Sequence, residues 1–454
     1  MTPEGRLATV VEMLEEIARQ GRPADAVAGA FLKARRYIGA KDRRAISDRL
    51  WGILRRRARI DWILAQCHYD ATPRRRLLAD LVLVDRLTPE AVAPLCTGGA
   101  RGLETLSPQD WALLQQLKGR DLFHHEMPAW VRGEYPEWIE PRLAAVFGDR
   151  LAAEMGALRD EASVDLRVNS LKADRETVRA RLAAEGLEAE PTPFSPLGLR
   201  LPARVALTAQ SVFREGMVEV QDEGSQLLAM LTDAQPGQSV VDFCAGAGGK
   251  TLALAAAMRN KGRLIACDVN ERRAEQATLR LRRAGVHNVT RRILESESDK
   301  WVKRHAGTFD RVLVDAPCSG TGTWRRNPDA KWRLSPDNIE HLVALQGRIL
   351  ASAARLVRPG GRLVYATCSL LVEENERQIE AFLAANEGFR PVPVGEQWAA
   401  TVGGDCPVEG PWLRLLPAQH HTDGFFAAIL ERPFDGGVSE SGSSALEQAD
   451  HLEE

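Results

Sequence analysis

Two cysteines stand where a pair of thiols could do chemistry together. Cys318 lies in Asp315-Ala-Pro-Cys-Ser-Gly-Thr-Gly322 and Cys368 in Tyr365-Ala-Thr-Cys-Ser369, and each follows an apolar run that reads as a β-strand. A third strand end carries Asp242-Phe-Cys244-Ala245-Gly246-Ala247-Gly248-Gly249-Lys250-Thr251 and runs straight into a helix. Glycines at such a turn let the backbone approach a ligand and aim helix N-terminal N–H groups at it. Gly249-Lys250-Thr251 matches the end of a Walker phosphate loop, but the first glycine of that loop is replaced by Cys244. The dinucleotide pattern G-x-G-x-x-G fails as well, because Gly246 and Gly248 are followed by Thr251. The next strand nevertheless ends in Asp268, about 20 residues past the turn, where a ribose-binding carboxylate belongs. A nucleoside cofactor without a long phosphate chain fits both facts, and S-adenosylmethionine is the obvious candidate.

Two thiols beside a methyl donor suggest methylation at carbon 5 of a pyrimidine. That carbon is a weak nucleophile until a thiolate adds at carbon 6 and turns the ring into an enamine. Free cysteine is only a few per cent ionised at neutral pH, so a cationic neighbour such as Lys250 would have to lower its pKa. After transfer the carbon 5 proton must leave before the thiol is eliminated, which gives a second group near the ring a task. Asp315 is placed to hydrogen-bond the ring amidine as the adduct forms. Spacing alone does not say which cysteine attacks. The other five, Cys67, Cys96, Cys244, Cys267 and Cys406, read as bystanders to that step; with no C-x-x-C pair in the chain, neither a disulfide framework nor a metal site is expected.

These residues need a scaffold of strand ends. From Gly237 onward strands over 239–244, 263–268, 288–294, 309–316 and 362–369 alternate with helices, the pattern of an α/β, doubly wound parallel sheet. Strands over 412–416 and 424–430 are expected to add an antiparallel pair at one edge. The strands bearing Cys318 and Cys368 should be neighbours, with both thiols facing one pocket outside the carboxyl ends. Between 127 and 233 short strands (164–168, 198–201) and helices (175–185, 221–231) predict a small α+β domain. Residues 1–122 show apolar positions at three- and four-residue spacing and predict an all-helical domain, including one helix over 43–64.

Charge is distributed unevenly. Sixty Lys and Arg face 62 Asp and Glu, a net charge of −2 that excludes an all-over basic binder of nucleic acid. Residues 30–80 alone carry 14 bases against five acids, and the final 20 residues carry six acids and no base. The Arg-rich helices present either a solvated charged face or an RNA-contacting one; residues 434–454 are expected to be an acidic, disordered tail. Met1-Thr-Pro-Glu-Gly-Arg lacks a signal-like apolar core, and no stretch approaches about 18 apolar residues. A cytoplasmic protein, not membrane-embedded, is expected.

The sequence resembles the RsmB/NOP2/Sun family of RNA 5-methylcytosine methyltransferases, most of all its bacterial 16S ribosomal RNA branch with an N-terminal NusB-like domain. The residues carrying the likeness are Val220-Gln-Asp-Glu-Gly-Ser225, Cys244 to Thr251, Asp315 to Gly322 continuing through Trp324-Arg325-Arg326-Asn327-Pro328-Asp329, and Tyr365-Ala-Thr-Cys-Ser369 followed by Glu373-Glu374-Asn375-Glu376. The resemblance implies a seven-stranded, Rossmann-like methyltransferase domain over 234–433, an α+β RNA-binding subdomain over 127–233 and a NusB-like RNA-binding domain over 1–122. It implies that Cys368 is the nucleophile and Cys318 assists product release, with Asp315 and Lys250 beside them. Residues 244–250 would wrap the methionine end of S-adenosylmethionine, Asp268 would bind its ribose, and Asp315 would lie between cofactor and base. Arg167, Asn169, Arg325 and Arg326 would contact RNA. The expected partner is ribosomal RNA and the expected state a monomer, with no metal. Two departures stand out. Gly246-Ala247 replaces the family's Ala-Pro in the glycine turn, which predicts a less preorganised loop. The third strand offers Glu295 where an Asp usually stands near the adenine. Two other readings keep these residues: the same chemistry on transfer RNA, and a non-catalytic RNA-binding assembly factor.

Overall fold

The computed structural model describes residues 1–99, 102–203 and 205–434; the acidic tail expected over 434–454 lies, from residue 435 on, outside the described residues. The N-terminal part is helical: Pro3–Gln20, Ala24–Ala34, Ala40–Arg55, Arg57–Gln66, Pro73–Leu83 and Pro108–Leu117 pack around one core that includes Met13, Ile46, Leu50, Leu78 and Leu114. Helix starts follow local rules. Thr2, Thr72 and Ser107 each accept a hydrogen bond from the third residue beyond, with proline at the first helical position. The single helix expected over 43–64 is instead two helices broken at Arg56 (φ −111°, ψ 14°). The cause is tertiary. The buried Glu134 carboxylate accepts hydrogen bonds from the Ala58 and Arg59 backbone N–H groups, which a continuous helix would have used itself.

A four-stranded antiparallel sheet follows, built from β1 (Val164–Val168), β2 (Glu190–Pro191), β3 (Gly198–Leu201) and β4 (Val218–Val220) in the order β2-β3-β1-β4. The helix Arg175–Ala184 covers it with Val178 and Leu182. The preceding helices, Ala129–Gly133 to Leu151–Arg159, do not share that core; they pack on Trp324, Leu370 and Leu371 beside the two cysteine loops.

The large sheet contains β5 (Ser239–Asp242), β6 (Arg263–Asp268), β7 (Val289–Ile293), β8 (Phe309–Asp315), β9 (Val357–Thr367), β10 (Arg390–Val392), β11 (Leu413–Leu415) and β12 (Phe425–Glu431). Seven of them run in the order β10-β12-β9-β8-β5-β6-β7, and β11 pairs with β12 as an eighth. β5 to β9 are parallel, and β12 is antiparallel to β9. The strand pair expected at an edge is present: β12 joins the parallel strands through β9, and β11 pairs antiparallel with β12 on its far side. β12 is buried along nearly its whole length because its far side is covered at one end by β11 and at the other by β10, a strand not expected, whose proline suits an edge. Chain order reverses between β5 and β8, so the crevice outside their carboxyl ends is where a ligand belongs. Among the described residues, no helix is long and apolar enough to cross a membrane.

Candidate active site

β5, β6, β8 and β9 deliver their carboxyl ends to a cleft of about 670 Å³, lined among others by Cys244, Gly249, Asp268, Asp315, Cys318 and Cys368. Its floor is the glycine turn. Gly246 (φ +54°) and Gly248 (φ +81°) adopt left-handed conformations, and a Cβ on Gly248 would lie 3.0 Å from Ala277 Cβ. The loop expected to be less ordered for want of a proline is tied down by other bonds. The Asp268 carboxylate accepts from Gly246 N at 2.7 Å, Ala245 N donates to Cys267 O at 2.8 Å, and Arg280 Nη1 donates to Ala247 O at 2.7 Å.

Register places Val314 opposite Tyr365 and Asp315 opposite Ala366, which makes the loops after β8 and β9 neighbours. Cys318 Sγ and Cys368 Sγ lie 3.4 Å apart, both partly exposed to the cleft. Their contact, and then burial, push the Cys318 thiol well above the ordinary thiol range. Lys250 Nζ lies 2.6 Å from Asp315 Oδ2. Burial pulls this ammonium down, but Asp315, followed by Cys368 and Asp242, holds it above the ordinary lysine range. Behind it Asp242 is fully buried and accepts from Thr251 Oγ1 at 2.7 Å, and burial pushes its carboxyl up to about 7. The site thus contains a proton-holding thiol, a second thiol touching it, and an ammonium–carboxylate pair. That set suits nucleophilic addition to an electron-poor ring followed by proton removal.

Residues 229–431 match the family described as 16S rRNA methyltransferase RsmB/F, and residues 135–208 match the RsmF/B-like ferredoxin-like domain. The ribosomal RNA small subunit methyltransferase B of Pectobacterium atrosepticum is 31% identical over 409 residues, covering 87% of this chain and 92% of its own. The chain belongs to the RsmB/F family. Solved structures agree. That of PH0851 superposes with a TM-score of 0.76 at 28% identity, covering 95% of this chain and 99% of its own. A methyltransferase homolog from Pyrococcus horikoshii gives 0.58 at 30% identity over 67% of this chain and 97% of its own.

The other residues that the RsmB/F resemblance singled out are placed differently from one another. Glu295 lines the cleft at the end of β7 and is exposed. Arg167 and Asn169 are buried struts between the small sheet and the methyltransferase fold: Arg167 donates to Gly249 O at 2.8 Å and to Gln221, and Asn169 Nδ2 donates to Ala284 O at 2.9 Å. Burial pushes the Arg167 guanidinium down to about 10. Arg325 and Arg326 are bound to Asp222 and Asp423 in a cluster under the Cys318 loop. All four have their polar ends engaged within the protein, Arg326 alone staying partly exposed, and they set the positions of the elements around the cleft. The Arg-rich helices show the same habit. Arg49 and Arg56 pair with Asp80, Arg59 with Glu134, Arg74 with Asp110 and Arg76 with Asp61.

One carboxylate of the Glu373-Glu374-Asn375-Glu376 run joins the two cysteine loops of this RsmB/F site. The Glu374 carboxylate is fully buried and accepts from Ser319 N at 2.8 Å, Ser319 Oγ at 2.5 Å, Gln346 Nε2 at 2.9 Å and Ser369 Oγ. Ser319 and Ser369 are the residues after the two cysteines, so one carboxylate clamps both thiol loops.

Proposed function

We propose that this protein transfers a methyl group from S-adenosylmethionine to carbon 5 of a cytosine in small-subunit ribosomal RNA, through a thioether between Cys368 and carbon 6 of the ring. The observation that carries the reading is the thiol pair 3.4 Å apart, in the cleft that Lys250 and Asp315 also line. Family membership supports the methyl transfer and the names of the curated relatives support the RNA.

The residues present fit the cofactor. A volume of about 670 Å³ lies within the range of small-molecule sites. Asp242 borders it with a buried Oδ1 that has no protein partner, an acceptor suited to an ammonium group. Asp268 ends β6 where a ribose would be held, and Cys244 to Lys250 supply the turn around the methionine end. When bound, S-adenosylmethionine supplies an electrophilic methyl group.

Within that frame Cys368 adds as a thiolate to carbon 6, and the displaced electrons are met on the ring by the Lys250–Asp315 pair, a proton donor and an acceptor in contact. The ring is then nucleophilic at carbon 5. Once Cys368 is a neutral thioether, the chief cause that raises the Cys318 pKa is gone. Cys318 gives its own proton to solvent in the partly open cleft, takes the carbon 5 proton as a thiolate, and the bond between carbon 6 and sulfur breaks to release Cys368 as a thiolate.

Replacing Cys368 by Ser should abolish methyl transfer from labelled S-adenosylmethionine to small-subunit RNA; undiminished turnover would reject the nucleophile. Cys318→Ser should accumulate a protein–RNA adduct that survives denaturing gels, and its absence would overturn the release role. Bisulfite sequencing of a deletion strain should show one methylcytosine lost from small-subunit RNA. Loss from transfer RNA instead would change the substrate, and no loss at all would favour a binding factor.

A further inference from the structure

Where the helical part meets the segment that continues from the Cys318 loop, there is a second cavity of about 230 Å³. Its floor is apolar, formed by Leu14, Ile17 and Leu54. Its rim is cationic, with Arg22, Arg57, Arg76 and Arg333 around it. The opposing charge nearby is smaller: Asp61 pairs with Arg76 at 2.7 Å and with Arg57 at 3.6 Å, and Asp329 pairs with Arg333 at 3.2 Å. Two carboxylates thus face four guanidiniums. Arg22 is exposed and hydrogen-bonds Gln20. Burial, and then the charge of Arg76, push the Arg57 guanidinium down, as expected where an anion would be welcome.

The remaining wall is Trp332. The Arg57 guanidinium lies 5.2 Å from its ring centroid. An apolar floor, an aromatic wall and a rim of guanidiniums are the features that take an unstacked nucleotide: the base enters, and the flanking phosphates meet arginine. The volume suits a single base. Trp332 follows Cys318 by 14 residues in the same connected segment, so a nucleotide held here would fix the RNA relative to the thiols.

We propose that this cavity binds an unpaired nucleotide of the substrate RNA at a distance from the methylated base. The proposal rests on the reading that the substrate is RNA, and its test is a binding measurement in which no methyl transfer occurs. The full chain carrying Cys368→Ser is titrated with a fluorescent single-stranded fragment of small-subunit RNA at several salt concentrations. Adding Arg22→Gln and Arg333→Gln should weaken binding about tenfold and make the slope of log K against log salt shallower by about 1.4, the loss of two phosphate contacts. Thermal unfolding checks that the variant is folded; should it not be, Arg22→Gln alone, at an exposed position, carries the test with half the slope change. Trp332→Leu should also weaken binding to the single strand through lost stacking. Unchanged affinity and slope in the folded arginine variants would overturn the site, even if methyl transfer by the wild type is normal. Conversely, loss of binding in these variants together with failure of the Cys368 assay would leave the site standing and reject only the chemistry.

Discussion

Glu374 is a buried carboxylate bonded by four neutral donors, and it joins residues that are 50 apart in sequence, Ser319 and Ser369. Its sequence neighbours do other work: Glu373 pairs with Arg142 at 3.0 Å and Glu376 pairs with Arg414. Nothing in Glu-Glu-Asn-Glu says which carboxylate turns inward, because four adjacent polar residues have no periodicity to read. The thiols were legible, since each ends an apolar run, and so was Asp268. The consequence of the clamp can be measured. Glu374→Gln puts an N–H₂ where both serines need an acceptor, and should loosen the two loops by a fraction of an ångström. Misplacement on that scale costs roughly 10²-fold in rate. We expect kcat for methyl transfer to fall about that much with little change in KM for RNA, and the Cys318-dependent limb of the pH–rate profile to move. Wild-type kcat, or a loss confined to KM, would rule the positioning role out.

At the scale of elements, the helical part is joined to the rest by apolar residues that enter its core, among them Met127, Val131 and Trp332, and by a few specific polar groups. Glu134 caps the helix Arg57–Gln66 and pairs with Arg59 at 2.8 Å, Arg55 Nη1 donates to Arg325 O at 2.6 Å, and Ala24 N donates to Asp329 at 3.0 Å. Lys331 is buried nearby, and burial pushes its ammonium down to about 8. Removing Glu134 would leave these cations without their carboxylate. Breaking a buried pair in this way costs about 3–5 kcal/mol, so Glu134→Gln should lower stability by that amount in urea denaturation. A loss below about 1 kcal/mol would mean that the capping contributes little. The helix break at Arg56 shows why this joint was illegible: the apolar stripe continues through residues 46–63, and only a carboxylate arriving from residue 134 decides that the helix stops. The missed strand β10 has a similar cause, because Arg-Pro-Val lacks an apolar pattern and pairs only when β12 offers a partner. The parallel sheet itself was readable from its near-continuous apolar runs.

For the whole molecule the relevant quantity is how much of the basic charge is free. Five arginines of the 30–80 window, Arg49, Arg56, Arg59, Arg74 and Arg76, have a carboxylate within 3.1 Å. If all 14 bases were free to neutralise single-stranded phosphates, they would contribute about −10 to the salt slope; with five committed they contribute no more than about −6, to which Arg22 and Arg333 outside the window add about −1.4. Measuring log K against log salt on full-length protein and single-stranded RNA checks this, and a slope near −10 would show that the paired arginines leave their carboxylates on binding. The sequence by itself determined the candidate thiols and carboxylates, the strand ends that carry them and the family, because glycine turns, strand-end cysteines and apolar runs are local signals. Only the tertiary structure decided which charges are used up inside the fold, that Glu374 ties the two thiol loops together, and that Trp332 faces a ring of arginines. Those outcomes depend on pairs of groups tens or hundreds of residues apart, and an ion pair leaves no mark on the spacing of either partner.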